Sequence, residues 1–193
     1  MTKRPEAREQ HKTVTTTDRA ARRRVDEIFQ QWKTERPDID PLPVHIYGLI
    51  ARLHLVSTAF IDEVLEPFAL VRGTFDVLTA LRRAGTPYSL TPKELSQSLL
   101  LSGAGLNSRI NKLEALRYIA RLPEPSDRRT IRIQLTTTGE AVINQAIPRV
   151  FDAQWTRLKP LGEEAVWRLV EGLVHFADAM EAADTFRDGH RSD

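Results

Sequence analysis

The chain has 193 residues and a formal net charge of +2, and its 41% hydrophobic residues suffice for one domain with a core of its own. It has no cysteine, which excludes disulfides, thiolate nucleophiles and cysteine-ligated zinc. No window approaches the ~18 consecutive apolar residues of a membrane span, and the start, MTKRPEAREQHKTVTTTDRAARRR, lacks the apolar core of a signal peptide, so we expect a cytoplasmic protein.

The first elements are an arm and two helices. Residues 1–17 are polar and aperiodic, which predicts a disordered N-terminal arm. An added helix is predicted over 18–36, capped by Thr17 or Asp18, because its apolar residues share one face; they are Val25, Ile28, Phe29 and Trp32. The prolines of RPDIDPLP end it, and a long amphipathic helix follows to about residue 68.

The middle of the chain predicts a helix-turn-helix. GTFDVLTALRRAG forms a short helix that ends at Gly85, a residue suited to a left-handed cap. TPKELSQSLLL opens with a capping box of Thr91 and Glu94 around Pro92. SGAGLNSRINKLEALRY opens with Ser102 and forms the second helix, with an apolar stripe at Leu106, Ile110, Leu113 and Leu116.

Two strands and two long helices complete the chain. YIARL and TIRIQL predict strands that flank PEPSDRR, which makes a hairpin. Helices are predicted over about 138–158 and 163–183, followed by a flexible tail at 184–193. The broad apolar stripes of the helical regions 37–68 and 138–183 predict that they serve in dimerisation, since a face wider than one chain can cover usually meets its own copy.

This order of elements is that of a winged helix-turn-helix over residues 72–136, with the hairpin as the wing. The predicted fold class is therefore mostly α with a small β-hairpin, embedded between N- and C-terminal dimerisation helices. Such a domain places its second helix in the DNA major groove, where side chains meet base edges. Arg128 and Arg129 at the wing tip can reach phosphates or the minor groove. The alternative is that they only keep a strand edge soluble.

Charge and polarity define the candidate DNA-binding residues. Lys and Arg outnumber Asp and Glu over 102–132, whereas the reverse holds over 163–193, so the middle of the chain is expected to face a polyanion. The polar side of the second helix supplies the candidates for base or phosphate contacts. These are Ser102, Asn107, Ser108, Asn111 and Lys112.

Two segments of the chain resemble the MarR family of bacterial transcription regulators. PSDRRTIRIQLTTTGE, at 125–140, is similar to that family's wing and the start of its next helix, and RINKLEALRYIARLP is similar to the end of its recognition helix and first wing strand. The resemblance spans about residues 42–180. It implies an obligate homodimer with interleaved terminal helices, bound to a palindromic operator in double-stranded DNA.

A narrower resemblance is to the urate-responsive, PecS-like branch of the family. The residues that carry it are Trp32, Asp76 in TFDVLTALRRAG, Arg109 in NSRINKLE and Arg121 in YIARLP. In that branch such residues surround a planar purine anion, which implies a small-molecule effector such as urate and no cofactor. Arginines pair with the anion, indole stacks on a flat ring, and a carboxylate accepts ring N–H protons or is repelled. Trp32 alone would be a core residue.

The resemblance also suggests how an effector could act. We hypothesise a salt bridge between Asp76 and Arg109 that sets the recognition helix in the free dimer. An entering purine anion would then take Arg109 as its partner, repel Asp76 and misplace the helix.

The sequence departs from the branch at one place. The start of the recognition helix in the branch resembles SSGAMTNR, whereas this chain has SGAGLNSR at 102–109. Gly105, Asn107 and Ser108 change what is offered to base edges. The departure leaves the fold unaffected and the operator sequence open.

Three functions are compatible with these features. The first is a ligand-responsive repressor of genes in purine catabolism, oxidative stress or efflux. The second is a MarR-type regulator that answers another small acid, such as a phenolic acid or a tricarboxylate. The third is a helical binding module or an enzyme that uses a pocket at Trp32. The third is disfavoured because no paired carboxylates, Ser/His dyad or metal cluster has sensible spacing, so we expect neither an enzyme nor a metal site.

Overall fold

The computed structural model describes residues 11–99, 105–124 and 127–189. Its helices and strands, in chain order, are α1 His11–Glu35, α2 Leu42–Leu65, α3 Arg72–Arg83, β1 Ser89–Leu90, α4 Pro92–Ser98, α5 Leu106–Ala115, β2 Ile119–Glu124, β3 Asp127–Leu135, α6 Thr137–Leu158 and α7 Glu163–Gly189. Short 3-10 turns, Glu66–Phe68 and Lys159–Leu161, follow α2 and α6. The predicted fold class, mostly helical with a small antiparallel sheet, is confirmed.

The chain forms two compact units, residues 1–63 and 64–193. In the first unit, the added helix α1 packs on α2. Val25 is buried, and its Cγ1 lies 3.3 Å from the position that a Cβ on Gly48 would occupy. Asp26 and His45 form a contact of 3.0 Å between Oδ1 and Nε2, and the His45 ring stacks on Phe29. The sequence prediction that Val25 and Phe29 lie on the packing face of α1 agrees with these contacts.

Both terminal helices are longer than predicted. Helix α1 begins at His11, so the last part of the segment predicted to be a disordered arm, 1–17, is helical. Helix α7 continues to Gly189, so most of the predicted flexible tail, 184–193, is helical as well. The physical reason is that extending an existing helix adds one hydrogen bond for each residue fixed, whereas starting one is costly. Polar composition without a strong stop signal therefore does not end a helix.

The core of the second unit is built around α3, which packs against α4, α5, α6 and β3. The fully buried apolar side chains come from each of these elements. They include Val77, Leu78, Leu81, Leu95, Ile110, Leu113, Ile133, Ile143 and Ala146. Each buried side chain of this size stabilises the fold by about 1.5–3 kcal/mol, less for alanine. The recognition helix α5 is therefore held by its apolar stripe, and its polar side is left outside.

The sheet has three antiparallel strands in the order β1-β3-β2. The predicted hairpin is formed by β2 and β3, with Arg121 opposite Ile133. Strand β1 was not predicted; it pairs Ser89 with Gln134 and Leu90 with Ile133. A strand of two residues is too short to show an alternating pattern, so its existence depends on the neighbouring strand.

The predicted capping signals are present. The Thr91 hydroxyl accepts a hydrogen bond from the Glu94 backbone N–H at 3.2 Å, and the Glu94 carboxylate accepts one from the Thr91 N–H at 2.8 Å. Gly85 follows α3 with a φ of +77°, a conformation that favours glycine. Gly105 precedes α5 with the same φ, so the described part of the recognition helix begins at Leu106. The predicted opening residue, Ser102, lies outside the described residues.

Helix α2 is unusually apolar. With the turn that follows it, Leu42–Phe68, it has the length and composition of a membrane span, with a mean hydropathy of 1.4 over its best window. A single helix of this kind is weak evidence for a membrane protein, because interface and core helices share the same composition.

Candidate DNA-binding surface and effector site

The recognition helix α5 presents its polar residues to solvent. Asn107, Ser108, Asn111 and Lys112 are all exposed, while Leu106, Ile110 and Leu113 on the other side are buried. This is the arrangement needed for a helix that enters a major groove with its polar face. The structure therefore places four of the predicted DNA-binding residues on one accessible surface.

Asn111 is also tied to the wing. Its Oδ1 accepts a hydrogen bond from Arg121 Nη2 at 2.6 Å, and Arg121 Nη1 pairs with Glu114. The amide N–H₂ of Asn111 can still donate to a base acceptor. Arg121, predicted as an effector ligand, thus fastens the first wing strand to the recognition helix. An effector that used Arg121 would have to compete with Glu114 and Asn111.

The wing tip is described in part. The backbone of Arg128 and Arg129 lies in β3, directly after its first residue, Asp127. The side chains of both arginines lie outside the described residues, so their contact with DNA stays a prediction.

The base of the wing is fastened to the helix-turn-helix through Arg132. Its guanidinium donates to the Ser89 hydroxyl at 2.9 Å and to the Ser89 carbonyl at 2.8 Å. The same group lies 3.9 Å from a carboxylate oxygen of Glu94, the capping-box partner of Thr91 at the start of α4. Hydrogen bonds and the nearby charge both lower the pKa of Glu94, Thr91 contributing more than Arg132.

Four residues around the start of α3 form what we call the Asp76 cluster: Arg72, Gly73, Asp76 and Arg109. The ion pair of Asp76 is with Arg72, whose Nε lies 3.5 Å from Oδ1, so the predicted pair between Asp76 and Arg109 is corrected. Arg72 stands one helical turn before Asp76 on the same face, the spacing at which helix side chains meet.

Arg109 of the recognition helix still belongs to this cluster. Its guanidinium lies directly over Gly73: a Cβ on that glycine would stand 2.9 Å from Nε and 3.2 Å from Cζ. Burial raises the pKa of Asp76, while the charges of Arg72, Arg109 and Arg83 lower it. Arg109 is thus close enough to act on the Asp76 carboxylate through its charge, and it links α5 to α3 beside that carboxylate.

Trp32 belongs to the first unit, where it is 46% exposed. It lines a small apolar groove of about 160 Å³ with residues of the proline-rich turn, namely Ile39, Asp40, Pro41, Pro43 and Val44. An indole in such a position is available for stacking on a flat ring. The structure thus brings Asp76 and Arg109 together, engages Arg121 with α5, and places Trp32 in a groove of the first unit.

Several known proteins are similar to this chain in sequence. A model of the MarR family matches residues 71–130. The HTH-type transcriptional regulator PecS of Dickeya dadantii (strain 3937) is 36% identical over 140 residues, which cover 72% of this chain and 84% of PecS. This chain belongs to the MarR family of winged-helix transcription regulators.

Other MarR-family members agree with this assignment. The multiple antibiotic resistance protein MarR of Escherichia coli (strain K12) is 30% identical over 96 residues, 48% of this chain and 65% of that protein. A structure of a cysteine-to-serine mutant of E. coli MarR complexed with operator DNA matches with a TM-score of 0.61 and 25% identity, covering 75% of this chain and 96% of that one. The chain is accordingly a DNA-binding transcription regulator of the MarR type.

Three long helices of this chain carry exposed apolar side chains. Large apolar side chains are exposed on three long helices of this MarR-family chain: Leu53 and Leu55 on α2, Phe151 and Trp155 on α6, and Trp167, Leu173 and Val174 on α7. Exposed apolar patches of soluble proteins are typical of interaction sites. Within the described residues, no group of three His, Asp or Glu side chains could hold a metal ion.

Sequence reasoning missed three contributors. Arg72 could have been found from its spacing of four residues before Asp76. Gly73 and Arg132 gave no signal of their own, because their roles depend on Arg109 and Ser89, which are distant in sequence.

Proposed function

We propose that this MarR-family chain is a cytoplasmic homodimer that represses genes by binding a palindromic operator and releases it when an anionic planar ligand, such as urate, binds. The observation that carries the proposal is the Asp76 cluster: a partly buried carboxylate beside an arginine of the recognition helix. In this proposal the protein catalyses no reaction and uses no cofactor.

DNA recognition is assigned to two surfaces. The exposed residues Asn107, Ser108, Asn111 and Lys112 face base edges and phosphates in the major groove. The wing, with Arg128 and Arg129 at its tip, contacts the backbone or the minor groove. The phosphate contacts supply affinity and the base contacts supply sequence preference.

Dimerisation is supported by the exposed apolar faces. Leu53, Leu55 and Phe151 are each 63% exposed, and Trp167 is 60% exposed. Burial of such side chains contributes about 1.5–3 kcal/mol each. We assign the face of α2, together with those of α6 and α7, to a second copy of the chain rather than to lipid. A two-fold dimer then presents two recognition helices to two half-sites.

The effector response is assigned to the Asp76 cluster and to Arg121, all in the second unit; stacking of a planar ligand on Trp32, in the first unit, stays a separate prediction. A planar anion pairs with Arg109, whose position over Gly73 sets part of the contact between α5 and α3. The negative ligand and the Asp76 carboxylate repel each other. The ligand therefore favours a state in which α5 lies differently, and it lowers operator affinity by the difference in its own affinity for the two states.

The test is fluorescence anisotropy of labelled DNA from the region upstream of this protein's own gene, at near-physiological salt. We expect the purified dimer to bind and urate to release it, whereas salicylate does not. Binding that urate leaves unchanged would overturn the effector assignment. Release by salicylate alone would favour a phenolic acid as effector, and failure to bind any such DNA would overturn the regulator assignment.

A further inference from the structure

Arg72 is the residue of the Asp76 cluster that the function above leaves without a role. It lies in the first turn of α3 with its Nε 3.5 Å from Asp76 Oδ1, and both side chains are largely covered, at 30% and 25% exposure. The Arg109 guanidinium lies over Gly73, the next residue in the chain. Arg72 therefore stands beside both the carboxylate and the site where an anion would pair with Arg109.

We propose that Arg72 is an effector-site residue, the counter-ion that shields Asp76 so that an anionic ligand can bind at Arg109. This inference rests on the proposed function. It adds the residue whose positive charge allows an anion to bind beside a carboxylate. A ligand that lacks the negative charge would have no need of Arg72.

The charge balance of the cluster supports this role. Arg72 is the ion-pair partner of Asp76, and of the three arginines whose charges lower the Asp76 pKa it contributes most, ahead of Arg109 and Arg83. Without Arg72 the carboxylate keeps only the weaker charges of Arg109 and Arg83, and a ligand anion paired with Arg109 then faces a poorly compensated negative charge. An uncompensated charge in a poorly solvated place is costly. The Asp76 side chain is only 25% exposed, and this partial burial raises its pKa because it disfavours the charged carboxylate.

A competing explanation is that Arg72 and Asp76 are only a helix surface pair. Pairs at this spacing stabilise a helix by about 0.2–0.5 kcal/mol and do nothing else. Arg168 and Glu164 on α7 are an exposed pair of this kind, with the same spacing and a contact of 2.9 Å. If Arg72 were such a residue, its removal would change stability slightly and leave ligand affinity as it was.

The experiment is calorimetric titration of urate into the purified dimer, for the wild type and four variants. We expect Arg72→Gln to weaken urate binding about tenfold, the size of coupling expected for interacting charges. The double variant Arg72→Gln/Asp76→Asn should recover most of that affinity, because no unpaired carboxylate then faces the ligand. Arg168→Gln should bind urate as the wild type does. Arg72→Met, which keeps most of the aliphatic stem, carries the same prediction if Arg72→Gln does not fold.

The outcomes separate this inference from the proposed function. A wild type that binds no urate overturns the effector assignment and this inference with it. If the wild type, Arg72→Gln and Arg72→Met bind urate equally tightly, the role of Arg72 is overturned and the effector assignment stands. Weakened binding that Asp76→Asn does not rescue also overturns it, because the loss would then come from a distorted helix and not from charge.

Discussion

Arg132 on β3 binds Ser89 on β1 twice, through the hydroxyl at 2.9 Å and through the carbonyl at 2.8 Å. Ser89 is buried, and it lies just before Thr91, which caps α4. The strand that leads from the wing tip is thereby connected to the first helix of the helix-turn-helix. The Arg132 side chain therefore links the wing to the helix-turn-helix, in addition to the pairing of β1 with β3.

Replacing Arg132 by Leu should reduce stability and operator affinity together. It leaves two buried acceptors of Ser89 unsatisfied, which costs about 1–3 kcal/mol. Because Arg132 acts through the wing, its effect on operator affinity should be much smaller when Arg128 and Arg129 are already alanine. The measurement is a double-mutant cycle by DNA anisotropy, with urea unfolding alongside. Additive losses would show that Arg132 acts on DNA by another route.

Removing either wing-tip arginine should weaken the salt dependence of operator binding. Each phosphate contact contributes about 0.9 to the slope of log affinity against log salt. We expect Arg128→Ala and Arg129→Ala each to lower the slope by about that amount, and Arg168→Ala on the exposed face of α7 to leave it unchanged. Anisotropy titrations at four salt concentrations measure the slopes. A slope that neither wing variant alters would mean that the tip is only a solvated turn.

Gly139 at the start of α6 should not tolerate a side chain. A Cβ there would lie 1.8 Å from the Tyr118 carbonyl oxygen, a backbone atom that cannot move alone. We expect Gly139→Ala to cost about 3 kcal/mol, the upper range for overpacking. Gly172→Ala in α7 meets open space and should instead stabilise by about 0.5–1 kcal/mol. Urea unfolding compares the two, and equal stabilities would contradict the packing of α6 on the loop before β2.

Gly73 should be needed for the effector response more than for the fold. A Cβ at this position would stand 2.9 Å from Arg109 Nε, the far end of a flexible side chain, so Arg109 should move aside at small cost. We expect Gly73→Ala to bind the operator and to require a higher urate concentration for release, with Gly172→Ala as the control. Anisotropy during a urate titration gives the midpoints. A urate midpoint equal to that of the wild type would show that the position of Arg109 over Gly73 plays no part in the effector response.

The parts of this molecule that the sequence predicts are those with a repeating or local signal. The capping box of Thr91 and Glu94, three of the four stripe residues of α5 and the two wing strands follow from spacing within a few residues, and each is present. The fourth predicted stripe residue, Leu116, lies just past the end of α5 and is only partly buried. Strand β1 was missed because two residues carry no period and it forms only against β3.

The candidate site was predicted by residue type but not by pairing. Asp76 and Arg109 do lie in one cluster, yet the carboxylate takes Arg72 as its ion pair because that arginine is one turn away on the same helix. Arg121, in turn, is engaged by Glu114 and Asn111. Which cation faces which anion is decided by side-chain geometry across elements, and a single sequence does not contain that information.

The most direct test of the central claim is release of operator DNA by urate from the wild type and from Asp76→Ala, measured by anisotropy on the same labelled fragment. If repulsion between the ligand and Asp76 moves the recognition helix, urate should release the wild type while the variant stays bound. Calorimetry on the same samples should show that the variant still binds urate. Release of Asp76→Ala at the same urate concentration as the wild type would contradict the account.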